Sequence, residues 1–360
     1  MENVVNPWKR RRVFLTGHTG FKGGWLALWL AEKGAVVRGY ALEPEAEPSL
    51  FRAADVGGAV DDVRADIRDY AMVQESMSEF APEVVFHMAA QPLVRRSYAD
   101  PLGTYATNVM GTAHVLEAAR NCPSVRAAVC VATDKCYENR EWVWPYREAD
   151  ALGGHDPYSS SKACAEMVAA AYRSSFFGTD AKGQPSVALA TARTGNVIGG
   201  GDWSEDRLIP DLLRGFCAGE VVKIRRPGAI RPWQHVLEPL HGYMLLAERL
   251  LAGETKLAGP YNFGPTDEDA WTVERIADRM VELWGEGAKW TRDSDAGAHE
   301  AHLLRLDASK ARAELGWRPR LKIDAALEWT VRWYRAWRKG VAMRGETLKQ
   351  IAEYERLLRS

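Results

Sequence analysis

The sequence predicts a doubly wound parallel α/β sheet with a smaller C-terminal α/β lobe. Three observations carry this. Apolar runs of strand length alternate with helical patterns through the first 195 residues, and such alternation requires parallel strands joined by crossover helices. Glycines 17, 20 and 23 fall between the first apolar run and the first helical pattern. After about Asn196 the alternation stops, and Pro210, Pro227, Pro232 and Pro239 punctuate the chain.

Strands are expected over 13–16, 35–42, 60–65, 84–88, 127–132 and 187–192. The first helix, over 21–33, packs through Leu26, Leu28, Trp29 and Leu30 and stops at Gly34. Asp69 is suited to cap the helix after the third strand. Long helices are expected over 104–120 and 159–176, and later ones over 272–283 and 323–337. In the last, Ile323, Leu327, Val331 and Tyr334 share one face. This divides the chain into a dinucleotide-binding domain over 1–195, completed by about 230–263, and a substrate lobe over 196–229 and 264–360.

Composition narrows the function. Net charge is −1, so no bulk field draws the chain to nucleic acid or an anionic membrane. The longest apolar run, 25–31, is too short to cross a bilayer. The basic N-terminus is followed by no apolar segment, so it does not read as a secretory signal. Five cysteines without a C-x-x-C pair suggest free thiols in a cytoplasmic protein and no metal site.

Sheets of this kind bind ligands at the carboxyl ends of their strands, and the unusual residues lie there. In Gly17-His18-Thr19-Gly20-Phe21-Lys22-Gly23, Gly17 suits a tight turn, Gly20 a close approach to pyrophosphate and Gly23 close helix–strand packing. The acid that should close the second strand is missing: Arg38-Gly39-Tyr40-Ala41-Leu42 precedes Glu43. Either Glu43 holds the ribose, or Arg38 and Lys22 favour a ribose phosphate, which leaves NAD and NADP open. Asp66-Ile67, after the third strand, suits an adenine.

Tyr158 and Lys162 are four apart and share a helix face. An ammonium beside a phenol is expected to lower its pKa, so that a phenolate can deprotonate an alcohol. Thr133, at a strand end, supplies a hydroxyl for the substrate oxygen. Asp134 and Lys135 follow it, adding an acid and an amine that alcohol oxidation alone does not need.

These motifs, with Phe86-His87-Met88-Ala89-Ala90-Gln91, Asn108-Val109-Met110-Gly111-Thr112 and Leu315-Gly316-Trp317-x-Pro319, resemble the extended short-chain dehydrogenase/reductase family over nearly the whole chain. The resemblance implies a Rossmann-type fold, NAD as a tightly held cofactor, and a nucleotide-sugar substrate. It places Ala89, Ala90, Gln91 and Asn108 on the cofactor with His18 and Thr19 of the glycine turn. Longer stretches, Gln91 to Tyr98, Thr133 to Tyr137, Gly199 to Trp203 and Arg231 to Val236, are similar to the branch that dehydrates CDP-glucose. Related dTDP-sugar enzymes carry Asp-Glu where this chain has Asp134-Lys135.

The implied chemistry is oxidation at C4 with Tyr158 as base, loss of the C6 hydroxyl with Asp134 as acid, and return of hydride to C6. Lys135 is either the C5 base or the cation that stabilises the enolate. A 4-epimerase would use Thr133 and Tyr158 but has no use for Asp134 and Lys135, and a noncatalytic dinucleotide-binding regulator would need none of them. For the substrate diphosphate Arg231 is the first choice, with Ser97, Arg193, Asn196, Arg207, Lys223 and Arg225 as further substrate-binding candidates. Trp203 and Trp233 contact base or sugar, or simply pack. The helices over 104–120 and 159–176 resemble the pair that forms a homodimer in this family.

Overall fold

The computed structural model describes residues 6–178, 187–293 and 303–359. Strands β1 (Arg12–Thr16), β2 (Val36–Ala41), β3 (Asp61–Arg64), β4 (Val84–His87), β5 (Ala127–Val131) and β6 (Ala188–Thr194) begin the chain. They are followed by β7 (Asn196–Ile198), β8 (Val221–Ile224), β9 (Trp233–His235), β10 (Pro260–Phe263) and β11 (Lys289–Arg292). The central sheet runs β10-β6-β5-β4-β1-β2-β3, and every pairing in it is parallel. The order reverses between β1 and β4, and a crevice opens there at the carboxyl ends. Two short parallel pairs, β7 with β9 and β8 with β11, lie outside it.

β1 is buried on both faces through Val13, Phe14 and Leu15, as an inner strand of a parallel sheet requires. One face packs on the helices Phe21–Glu32 and Leu237–Leu251 through Trp25, Leu28, Leu240 and Ala247. The other packs on Tyr70–Phe80, Gly111–Arg120 and Pro157–Ser175 through Met77, Val115, Leu116 and Ala169. Asp69 does cap its helix, accepting from Met72 N at 3.2 Å.

Two expectations are corrected. The single helix over 104–120 is three pieces: Pro101–Tyr105, a π-turn Ala106–Met110, and Gly111–Arg120. Asn108 lies in that turn and bonds across to Gln91 and Ser161. The proline-rich stretch after Asn196 also contains helices, Leu208–Ala218 and Leu237–Leu251. Pro210 and Pro239 each occupy the first turn, where a backbone N–H has no intrahelical partner to lose.

Glu238 ties this region to the C-terminal helix Met343–Arg359. Its carboxyl accepts from Arg320 N at 2.9 Å, Leu321 N at 2.6 Å and the Tyr354 hydroxyl at 2.8 Å. Burial pushes its pKa up from 4.5 to about 7. The folded state therefore holds a proton that the unfolded chain releases, and stability falls as pH rises from 4.5 to about 7. At 1.36 kcal/mol per unit this is on the order of 3 kcal/mol. Glu238→Gln keeps an oxygen for the two backbone donors and should flatten that decline in urea titrations. An unchanged slope would remove Glu238 as its source.

Candidate active site

The main cavity, about 1130 Å³, opens at the carboxyl ends of β1, β4, β5 and β6. Its floor is the glycine turn. Gly17 has φ +80°, and a Cβ there would lie 2.8 Å from Ala89 N. A Cβ at 23 would lie 2.1 Å from the Gly17 carbonyl, whereas one at 20 meets only that carbonyl, at 3.4 Å. Gly17 and Gly23 are thus spent on packing, and Gly20 stays open to the cavity. No side chain caps the helix that starts at Phe21, so its first N–H groups face the same space. This cradle fits a diphosphate. Thr19, Phe21 and Lys22 complete its wall.

His18 does not take part. Its ring is fully buried away from the cavity, donating from Nε2 to Asp62 Oδ1 at 2.7 Å. It lies over Gly39 of β2, where a Cβ would sit 2.4 Å from the ring. Burial lowers its pKa despite Asp62, so it is neutral. Its assignment as a cofactor ligand is corrected to packing between the glycine turn and β2.

The two cations that favour a ribose phosphate are engaged elsewhere. Arg38 pairs with Asp61 at 2.6 Å and Glu79 at 2.8 Å. Lys22 donates to Thr194 Oγ1 at 3.3 Å and the Tyr243 hydroxyl at 3.0 Å, and burial lowers its pKa to about 7. Glu43 does line the cavity, one residue past Leu42. Asp66 and Ile67 line it too. Arg68 grips Asp66 through N, Nε and Nη2 and lowers its pKa.

Ala89, Ala90 and Gln91 line the opposite wall, held by a chain the sequence did not reveal. Thr16 Oγ1 accepts from Met88 N and Ala89 N, at 3.0 and 3.1 Å. It must therefore donate to His87 Nδ1, 2.8 Å away. His87 Nε2 meets Thr112 Oγ1 at 3.0 Å, and Thr112 donates to Asn108 O. Burial lowers the His87 pKa to about 3, which fits one neutral tautomer between two hydroxyls. Asn108 is buried and absent from the cavity wall. It is corrected from cofactor ligand to a staple on Gln91.

Tyr158, Lys162, Thr133 and Lys135 all line the cavity. Asp156 caps the helix that carries Tyr158 and Lys162, through Ser159 N. Lys162 does not act on Tyr158 as expected: its Nζ donates to the Val131 carbonyl at 3.0 Å, and burial lowers its pKa. Burial instead raises the Tyr158 phenol to about 12, and Arg207 opposes this first, a hydrogen bond with Thr133 second. Asp134 is wholly buried behind Thr133. Its Oδ1 accepts from the Thr133 hydroxyl at 2.9 Å and from Lys135 Nζ at 3.3 Å. Thus Lys135, not Asp134, faces the cavity.

Asn196, Arg207, Lys223, Arg225 and Arg231 line the far end with Trp203 and Trp233. Arg207 lies 3.6 Å and Arg225 3.8 Å from Asp202 and Asp206 respectively. Ser97 is buried and donates to the Val94 carbonyl at 2.6 Å. Arg193 is buried against Glu166 at 2.8 Å. Neither lines the cavity, and both are corrected from substrate ligands to structural residues. Trp203 packs edge-on to Trp333, Tyr334 and Trp337.

The sequence pattern described as GDP-mannose 4,6 dehydratase matches residues 14–330. The chain belongs to the GDP-mannose 4,6 dehydratase family. It is 53% identical over 349 residues to the CDP-glucose 4,6-dehydratase of Salmonella typhimurium, covering 97% of both chains. It is 31% identical over 335 residues to a dTDP-glucose 4,6-dehydratase of Streptomyces antibioticus, covering 90% and 92%. Among solved structures, a dTDP-glucose 4,6-dehydratase from Streptomyces venezuelae with NAD and TYD bound superposes with TM-score 0.76 at 24% identity. It covers 92% of this chain and 98% of that one. The last likeness bears on the fold.

As a member of the GDP-mannose 4,6 dehydratase family, the chain bears out the resemblance read from its motifs. What the motifs did not show is how these groups support the wall: Thr16 and His87 lie under Ala89, Thr194 and Tyr243 hold Lys22, and Arg207, expected only on the substrate, also acts on Tyr158. Each lies far in sequence from its partner: the parallel register of β1 and β4 brings Thr16 to His87, and helix packing or loops bring the others together.

Proposed function

We propose that the protein converts CDP-D-glucose to CDP-4-dehydro-6-deoxy-D-glucose and water, with NAD held throughout. The observation that carries this is the meeting of Thr133, Lys135, Tyr158 and Lys162 with the glycine cradle on one cavity, in a chain 53% identical to a CDP-glucose 4,6-dehydratase. NAD supplies, when bound, a hydride acceptor for C4 and then a donor for C6, so no net redox change results. The engagement of Arg38 and Lys22 by protein partners supports NAD over NADP.

Tyr158 takes the C4 hydroxyl proton, with Thr133 holding the oxygen. The resulting C4 ketone acidifies C5, where Lys135 acts as base when neutral or, when charged, as the cation that steadies the enolate; once C6 is reduced, C5 takes a proton back. Asp134 supplies the proton that leaves with the C6 hydroxyl. Its path runs through Thr133, which touches both Asp134 and the cavity. Lys162 orients the nicotinamide ribose, and Arg231, Arg207, Asn196, Lys223 and Arg225 receive the substrate diphosphate. Mass spectrometry tests the reading. CDP-glucose incubated with the protein and no added reductant should lose one water. An isomer of equal mass would make it an epimerase, and no turnover would refute both.

The active form is a cytoplasmic homodimer. All five cysteines are unpaired, as a reducing compartment keeps them. Met110, Met167 and Phe176 stand at least half exposed on the segments expected to pair, 104–120 and 159–176. Met110→Asp with Met167→Asp should shift sedimentation from dimer to monomer; an unchanged dimer would move the interface elsewhere.

A further inference from the structure

We propose that Arg193 is a positioning residue that holds the elimination loop in register with the redox helix. The proposal rests on the dehydratase reading above. Arg193 is the next-to-last residue of β6 and is 3% exposed. Its Nη2 donates to Glu166 Oε2 at 2.8 Å, and Glu166 lies one helical turn after Lys162 and two after Tyr158. Its Nη1 donates to the Tyr137 hydroxyl at 2.9 Å and the Glu148 carbonyl at 3.2 Å. The guanidinium also stacks on the Tyr137 ring, 4.9 Å from its centroid. Tyr137 directly follows the turn Asp134–Cys136, which carries Asp134 and Lys135. One planar side chain therefore touches both catalytic elements.

The surrounding bonds extend the link. Thr191 donates to the same Glu166 oxygen at 2.8 Å. Tyr137 donates to Asn262 Oδ1 at 2.7 Å, and Asn262 N donates to Glu148 Oε1 at 2.7 Å. A buried ion pair is weak as a pure stabiliser, because desolvating two charges offsets their attraction. Its fixed fork geometry is well suited to setting a distance. The distance matters here because Tyr158 and Lys135 act in succession on adjacent carbons of one sugar. A displacement near 1 Å at such a site costs about 100-fold.

The test uses Arg193→Lys, which keeps the charge opposite Glu166 but cannot reach Tyr137 and Glu148 as well. The paired variant Arg193→Met with Glu166→Leu removes both charges of the pair and guards against a folding defect; because Glu166 also supports the charge of Lys162, the C4 step is judged on Arg193→Lys. With the NAD-loaded variants and CDP-glucose, water loss should fall about 100-fold while C4 hydride transfer falls less than about tenfold. Reduced cofactor should then accumulate, seen by its near-ultraviolet absorbance. Amide hydrogen exchange over 134–148 should quicken with the unfolding midpoint of Arg193→Lys retained. Equal loss of both steps, no loss, or unchanged exchange would overturn the proposal. If the wild type releases no water from CDP-glucose, the dehydratase reading falls, and the exchange measurement still decides whether Arg193 sets the register.

Discussion

Lys135→Met is expected to stop dehydration while leaving the first hydride transfer in place. Lys135 is a third exposed at the cavity wall, with its Nζ 3.3 Å from Asp134 Oδ1. It touches neither Tyr158 nor Lys162 among the described hydrogen bonds. Methionine matches its length and packing but removes the amine. Whether that amine takes the C5 proton or steadies the enolate, its loss removes a group acting on C5, and general acid–base groups supply about 10²- to 10⁴-fold. The variant should still exchange hydride with C4 of labelled CDP-glucose, and the ketone should persist. Normal water loss would show that C5 is served elsewhere. Loss of both steps would show that Lys135 also holds the sugar.

Tyr158→Phe should lose C4 oxidation by about a thousandfold, and Arg207→Gln should reveal how the phenol is tuned. With burial holding Tyr158 near 12, it is a phenol at neutral pH. Its phenolate fraction therefore rises with pH. Among the surrounding groups Arg207 opposes this burial most. Removing its charge raises the phenol further, so the rising limb of kcat/KM against pH moves to higher pH, by about one unit. At a fixed pH on that limb the rate falls about tenfold. A limb that stays in place would transfer the tuning to the Thr133 hydrogen bond. A fall in affinity with no pH shift would leave Arg207 solely on the diphosphate.

Much of this arrangement is legible in the sequence. The six runs mark β1 to β6 to within two residues at each end; inner strands such as β1, β4 and β5 are buried on both faces and almost continuously apolar, whereas β3, at the sheet edge, is polar and partly exposed. Gly17, Gly20, Gly23, Tyr158, Lys162, Thr133 and Lys135 all reach the cavity, since each sits at a strand end or a helix start. Other assignments failed for identifiable reasons. Pro210 and Pro239 look like breakers until their place in a first turn is known. Arg193 and Ser97 follow the right strands and runs, but their side chains turn inward to partners distant in sequence. Lys162 sits one turn from Tyr158, yet a strand-end carbonyl claims its ammonium. Proximity along a helix gives the face and leaves the hydrogen-bond partner undetermined.

The nesting of His18 over Gly39 has an evolutionary side. The imidazole fills the volume that any side chain on residue 39 would need, and Asp62 holds it there. A larger residue at 39 requires a smaller one at 18, and a smaller one at 18 alone leaves a void beside the glycine turn. These two positions should therefore covary among homologous sequences, and a mutational library that varies one without the other will sample mostly misfits.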